Sequence, residues 1–248
     1  MGALHAGHMA LVAEARRRAA SVVASIFVNP LQFGPNEDLA RYPRDEAGDL
    51  GALREGGCDV AWLPPVEVMY PPGVATRVEV AGPAEGFEGE VRPGHFRGVA
   101  TVVTKLLNQV GPDLAFFGEK DSQQLQVVRR LVADLDIATE IAAVPTIRET
   151  DGLALSSRNL YLSAAERAAA PRLYEVLTET AARIAAGHPV PQSEQDAAAA
   201  LRAEGLEPDY LRLVEAETLQ PLGALRRPAR LLAAARLGAV RLLDNVTV

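Results

Sequence analysis

Short β-branched runs alternate with stretches of helical periodicity along the first 147 residues, and that alternation confines the chain to very few folds. Strand-like runs are read at Ser21–Val28, Cys58–Leu63, Thr76–Val80, Asp113–Phe117 and Ile141–Val144. Between and around them, Met9–Arg16, Asp45–Glu55, Arg97–Val110 and Gln124–Leu135 carry helical spacing. Gly56-Gly57 and Gly111-Pro112 act as stops. Strands that alternate with helices predict an α/β fold, a Rossmann-like, doubly wound parallel sheet. In such a sheet, ligands gather at the carboxyl ends of the strands, so residues just after each strand are the first place to look for chemistry.

The pattern changes after about Ile147. Ala164–Ala186 reads as one long helix, N-capped by Ser163 with Glu166 as its capping-box partner and ended by Gly187-His188-Pro189. A second helix is expected at Glu194–Ala203, then antiparallel strands at Tyr210–Val214, Arg230–Ala235 and Arg241–Val248. This predicts a smaller C-terminal α+β domain over residues 148–248, following a first domain over residues 1–147. A single cysteine excludes an internal disulfide and fits a reducing, cytoplasmic setting. No apolar run is long enough to span a bilayer. The formal net charge of −7 argues against a nucleic-acid partner, so an anionic substrate must be held by a local cluster of positive groups.

Met1-Gly2-Ala3-Leu4-His5-Ala6-Gly7-His8 opens the chain. Two histidines three residues apart stand at the front edge of a helix, where unpaired N–H groups and the dipole attract phosphate. Imidazoles there suit phosphoryl or nucleotidyl transfer, because their hydrogen bonds strengthen as negative charge builds. A zinc site or a pair of surface histidines is the other reading, although zinc needs three or four ligands and Cys58 with the two remaining histidines suggests no such cluster. Phe116–Gln124 follows an apolar strand with Gly118, Lys120 and Asp121: a compact charge for phosphate oxygens and a carboxylate for a ribose hydroxyl, or else a solvated, helix-capping turn. Asp151–Asn159 offers Ser156, Ser157 and Arg158, groups that suit a triphosphate or that build an inter-domain loop. Asn29–Phe33 brings Gln32 to a strand's carboxyl end, and Arg92–Gly98 adds two arginines and His95; any one of these also fits a structural role.

Taken together, and in order over essentially the whole chain, these blocks resemble the pantoate–β-alanine ligases of the HxGH nucleotidyltransferase superfamily. Arg41-Tyr42-Pro43-Arg44 and Leu242-Leu243-Asp244-Asn245 complete the match. The resemblance implies an ATP-dependent, Mg²⁺-requiring ligase in which pantoate carboxylate attacks the α-phosphate to give pantoyl adenylate. β-Alanine then displaces AMP to form pantothenate. Carried over by motif position, His5, His8 and Lys120 would be catalytic, with His8 the proton donor. Met1, Gly2, Gly118, Asp121, Ile147, Leu155, Ser156, Ser157 and Arg158 would join them in holding ATP, the backbone at Ile147 facing adenine. Gln32 and Gln124, with Asn29, Arg92 and His95, would hold pantoate and β-alanine. No metal ligand is assigned, Asp49 being the one weak candidate for Mg²⁺, and a homodimer is expected. The first domain would bind nucleotide and pantoate, and the second would act as a lid.

Ser122 stands where the family often carries an aromatic residue. The chain also begins at the histidine motif itself, where the family has a leading strand and helix. The first domain is therefore expected to be N-terminally truncated, and the chain aggregation-prone and poorly active. A plain nucleotidyltransferase, which would not require the two glutamines, is a second enzyme reading. An aminoacyl-tRNA synthetase fits the acidic balance poorly, and a catalytically inert binding protein is the reading from a different class.

Overall fold

A computed structural model describes residues 2–35, 37 and 39–248. The elements in chain order are α1 (Ala6–Arg18), β1 (Val23–Ser25), α2 (Glu46–Glu55), β2 (Val60–Trp62), α3 (Val66–Met69), α4 (Phe87–Val91), α5 (His95–Val110), β3 (Leu114–Gly118), α6 (Ser122–Asp134) and β4 (Glu140–Val144). They continue with α7 (Ala164–Ala169), α8 (Arg172–Ala185), α9 (Val190–Ala203), β5 (Glu207–Glu215), β6 (Ala229–Leu237) and β7 (Val240–Thr247). The chain divides into two compact units. One comprises residues 1–119 and 123–145, and the other residues 120–122 and 146–248.

The first unit is α/β. β1 pairs in parallel with β2, Val23 opposite Val60, and β3 pairs in parallel with β4, Leu114 opposite Glu140. β1 is shorter than its β-branched run, but Ile26 N–H still donates to Trp62 O at 2.9 Å and extends the pairing by one bond. One core joins Phe27 and Met69 to the buried face of α5 (Phe96, Val99, Val103, Leu107) and to Val127, Val128 and Leu131 of α6. A smaller one packs Val12 and Ala15 of α1 on Val22 and Leu53. α5 starts two residues earlier than its periodicity predicts, because Gly94 in the left-handed region (φ 83°) turns the chain into the helix.

Thr76–Val80 alternates like a strand, but it is extended chain without a ladder. A helix, not a neighbouring strand, satisfies it: Val78 N–H donates to Thr101 Oγ1 of α5 at 3.0 Å, and Val78 and Val80 pack on the α5 core. Covering one face of an extended segment selects alternation whether or not a strand lies beside it.

The second unit is α+β, with an antiparallel sheet in the order β5-β6-β7. Its core joins Leu173, Leu177 and Ile184 of α8 and Leu201 of α9 to Leu211, Leu213 and Leu231 of the sheet. Ser163 and Glu166 form the expected capping box, with Ser163 N–H donating to Glu166 Oε2 at 2.8 Å. The single helix read over Ala164–Ala186 is two, α7 and α8. Pro171 has no N–H to give the preceding turn, so it ends α7 and serves as the N-cap of α8.

Candidate active site

The histidine segment is built by its own backbone. His5 caps α1, and His5 and His8 form a reciprocal capping box. Gly7 N–H donates to His5 Nδ1 at 3.1 Å and His5 N–H donates to His8 Nδ1 at 3.3 Å, with the two ring centroids 4.1 Å apart. Each Nδ1 is therefore an acceptor, so a neutral ring carries its proton on Nε2. Two neighbouring N–H donors result at the positive end of a 13-residue helix.

Asp49 of α2 holds the approach to that helix. Its carboxylate is 3% exposed and accepts Ala3 N–H at 2.9 Å and Leu4 N–H at 2.6 Å. Gly2 (φ 98°) and Ala3 (φ 50°) both lie in the left-handed region, a conformation that costs a non-glycine residue about 1–3 kcal/mol unless its surroundings impose it. Both oxygens of Asp49 are engaged with backbone N–H groups, so its role in this structure is to fix the loop. Met1 lies outside the described residues.

Gln32 and Gln124 come together. They line one cavity of about 130 Å³ with Asn29, Ser25 and an apolar wall that includes Phe27, Val99, Val102, Val103, Leu106 and Phe117. Asn29, 2% exposed, organises its polar end. The Asn29 Nδ2 group donates to Gln32 Oε1 at 3.2 Å and to Gly98 O at 3.0 Å, while its Oδ1 accepts from Tyr70 Oη at 2.8 Å and Leu31 N–H at 3.2 Å. With Oε1 taken by Asn29, the Gln32 amide is oriented to offer Nε2 as a donor. Burial pushes the Tyr70 phenol up to about 12, against the pull of Arg77, so its hydroxyl keeps the proton it donates. Gly98 makes the packing possible: a Cβ there would lie 2.2 Å from Leu31 O and 2.6 Å from Gln32 N. Such a cavity suits a small branched molecule with an apolar middle and polar, acceptor-rich ends.

Arg92 and His95 stand behind Gln32 and are not among the cavity-lining residues. Arg92 reaches Glu37 at 2.6 and 2.9 Å and His95 Nε2 at 3.1 Å, and His95 Nδ1 lies 2.9 Å from Gln32 O. Burial, with Arg92 adding to it, lowers the His95 imidazole to about 4. The neutral ring then donates from Nδ1 to the Gln32 carbonyl and accepts from Arg92 at Nε2. Burial alone would raise the Glu37 carboxyl, but the hydrogen bonds and charge of Arg92 outweigh it and hold it below the usual carboxylate value.

In the second unit, Lys120 lies in a 3₁₀ turn beside Asp121, its ammonium 3.6 Å from Asp121 Oδ1. Asn245 Nδ2 of β7 donates to Lys120 O at 2.9 Å. Ile147 to Leu155 double back as a small hairpin: Leu155 N–H donates to Ile147 O at 3.0 Å, and Arg148 bridges to Ala154. Ser156 then caps the 3₁₀ turn Ser157–Tyr161 by accepting Arg158 N–H at 3.3 Å. Gly118, in the first unit, ends β3 opposite Val144, with open space where a side chain would stand.

Sequence patterns gave no signal for Glu37, 55 residues from its arginine, or for Asp49 as a backbone acceptor. Both act across long chain separations, and neither belongs to a local motif.

A helix start that presents imidazole N–H groups is placed to receive an anion, and the cavity beside Gln32 and Gln124 to receive a small polar molecule. The family model for pantoate-beta-alanine ligase matches residues 1–247. The chain belongs to that family. It is 59% identical to a pantothenate synthetase of Acidiphilium cryptum, over all of this chain and 89% of the relative. It is 58% identical to one of Rhizorhabdus wittichii, over all of this chain and 88% of that protein. A crystal structure of the pantothenate synthetase of Thermus thermophilus superimposes with a TM-score of 0.95 at 53% identity, covering 99% of this chain and 90% of the other. The pantoate-β-alanine ligase of Francisella tularensis, solved with β,γ-ATP and β-alanine, gives a TM-score of 0.83 at 35% identity, covering 100% and 87%.

Proposed function

We propose that this member of the ligase family condenses pantoate with β-alanine at the expense of ATP, by way of pantoyl adenylate. The observation that carries the reading is the cavity in which Gln32 and Gln124 share an apolar wall, in a chain matched to the family over 1–247. Pantoate has a carboxylate, two hydroxyls and a gem-dimethyl centre. The glutamine amides take its polar groups, and the valines of α5 take its methyls. A carboxylate oxygen then forms a bond to the α-phosphorus of ATP as the bond to pyrophosphate breaks. The Nε2–H groups of His5 and His8 donate to the phosphate oxygens on which charge grows, and Lys120 balances that charge. In the second step the neutral amine of β-alanine attacks the acyl carbon, AMP leaves, and the amine gives up a proton. Gly2, Gly118, Asp121, the hairpin at Ile147 and Leu155, and Ser156, Ser157 and Arg158 hold the nucleotide. Asn29, Arg92 and His95 serve the pantoate subsite by fixing Gln32.

Mg²⁺ enters with the ATP phosphates and keeps much of its water. Among the described residues no three His, Cys, Asp or Glu side chains group to hold a metal ion. The protein works in the cytoplasm as a homodimer. Among the described residues no helix is long and apolar enough to cross a membrane.

The test is positional isotope exchange in ATP without β-alanine. Exchange that depends on pantoate is expected, with AMP released only in step with pantothenate. Absence of pantoate-dependent exchange in an enzyme that forms pantothenate would remove the free adenylate from the scheme.

A further inference from the structure

Asp244 and Asn245 are adjacent on β7, and both are almost fully buried, at 3% and 4% exposure. Neighbouring residues of a strand point to opposite faces of the sheet, so this dipeptide reaches in two directions. Asn245 donates from Nδ2 to Lys120 O at 2.9 Å and accepts at Oδ1 from Arg230. Asp244 takes the Arg148 guanidinium end-on, Nη1 donating at 2.6 Å and Nη2 at 2.9 Å. Its Oδ1 also accepts the Asn245 backbone N–H at 2.7 Å, which ties the Asp244 carboxylate to the backbone that carries Asn245. Arg148 in turn donates to Gly152 O in the turn of the hairpin at 3.1 Å and lies 3.7 Å over the Tyr174 ring of α8, so it holds the hairpin that runs into Ser156–Arg158 at its turn and against α8.

A buried ion pair is a weak source of stability, because desolvation offsets most of its attraction. What this one does supply is direction: a planar, two-point grip that fixes Arg148 in one orientation. The Asn245 bond is equally specific in its target, since it ends on the carbonyl of the one lysine assigned to phosphate.

We propose that Asp244 and Asn245 are the positioning pair of the nucleotide site, Asn245 setting the backbone from which Lys120 projects and Asp244 setting the hairpin from Ile147 to Leu155. The inference deepens the functional reading above and rests on Lys120 contacting phosphate. A misplacement of about 1 Å in a group near the chemistry can cost about 100-fold in rate.

The experiment is a double-mutant cycle on pantothenate formation, with ATP and pantoate titrated separately and thermal unfolding followed for each variant. Asn245→Ala should lower turnover about 10- to 100-fold with the pantoate KM unchanged. Asn245→Asp, which keeps the volume but replaces the donor with an acceptor, should behave like Asn245→Ala. In a Lys120→Ala background, Asn245→Ala should cost little more. Asp244→Asn should raise the ATP KM and leave the pantoate KM alone. Costs of Asn245→Ala and Lys120→Ala that simply multiply would overturn the proposal, as would a parental rate for Asn245→Asp or a parental ATP KM for Asp244→Asn. Loss of cooperative unfolding in both Asn245 variants would make Asn245 a fold residue and overturn it too. A near-parental rate for Lys120→Ala alone would sink the phosphate reading of Lys120, an outcome separate from all of these.

Discussion

Asp49→Asn isolates what holds the histidine loop. The wild-type carboxylate accepts two backbone N–H groups, from Ala3 at 2.9 Å and Leu4 at 2.6 Å, while 3% exposed. An asparagine in the same place keeps one acceptor and turns an NH₂ group toward the other N–H. A hydrogen bond to a charged group is worth about 1.5–3 kcal/mol, and the remaining bond weakens as well when the charge goes. The strain at Ala3 (φ 50°) then has less to oppose it. If that energy is lost from the conformation in which, on the proposed mechanism, His5 and His8 meet phosphate, turnover falls about 10- to 150-fold, at about 1.4 kcal/mol per decade. The cavity that holds Gln32 and Gln124 is built from other segments, so the pantoate KM should hold. The assay is pantothenate formation with each substrate titrated, beside denaturant unfolding to check that α2 still packs. Turnover within about threefold of the parent, at the parental ATP KM, would refute the reasoning that this carboxylate organises the loop.

Gln32→Ala should raise the pantoate KM far more than the ATP KM, the loss of a hydrogen-bonding partner in the cavity costing about 1–3 kcal/mol; steady-state titration of each substrate reads it. Gly98→Ala places a Cβ 2.2 Å from Leu31 O, so the loop carrying Asn29 and Gln32 must lift. A stability loss of about 1–3 kcal/mol and a raised pantoate KM are expected, by urea unfolding and kinetics. His95 lies near 4 in the folded protein against an ordinary 6.5, so below about pH 6.5 the unfolded chain takes up a proton that the folded one refuses. Stability should fall as pH drops from about 6.5 to about 4, by on the order of 3 kcal/mol, and be indifferent to this group above that window. Unfolding of the parent beside His95→Asn across the window isolates the contribution, which is absent if both curves run parallel.

The order of strands and helices was legible because it rests on local periodicity, and α2, α5, α6 and the strands of both units fall where that periodicity lies. Ser163 and Glu166 cap a helix for reasons contained in four residues. Pro171 was the local signal that the alanine-rich run outweighed. Thr76–Val80 shows the limit of alternation, which records that one face is covered and is silent on what covers it. Within the cavity, the two glutamines were readable from their motifs. The residues that orient Gln32 were not, because Tyr70 and Gly98 reach the Asn29–Gln32 turn across 41 and 69 positions of sequence, and Glu37 acts on it through Arg92, 55 positions away. Asp49 was noticed as a carboxylate, but two backbone N–H groups as its partners leave no trace in residue types.

Helix α5 has a consequence for which acids such a ligase could be made to accept. Val99, Val102, Val103 and Leu106 share one side of it and form the cavity's apolar wall. A bulkier branched acid would be admitted by shortening one of these four, with the amide end left untouched. Yet Val99, Val102 and Val103 also belong to the buried core of their unit, and each methyl group removed there weakens the packing by about 1 kcal/mol. Breadth of substrate and thermal tolerance are therefore set by the same side chains, and a redesigned pocket would have to recover on α6 or β3 what it gives up on α5.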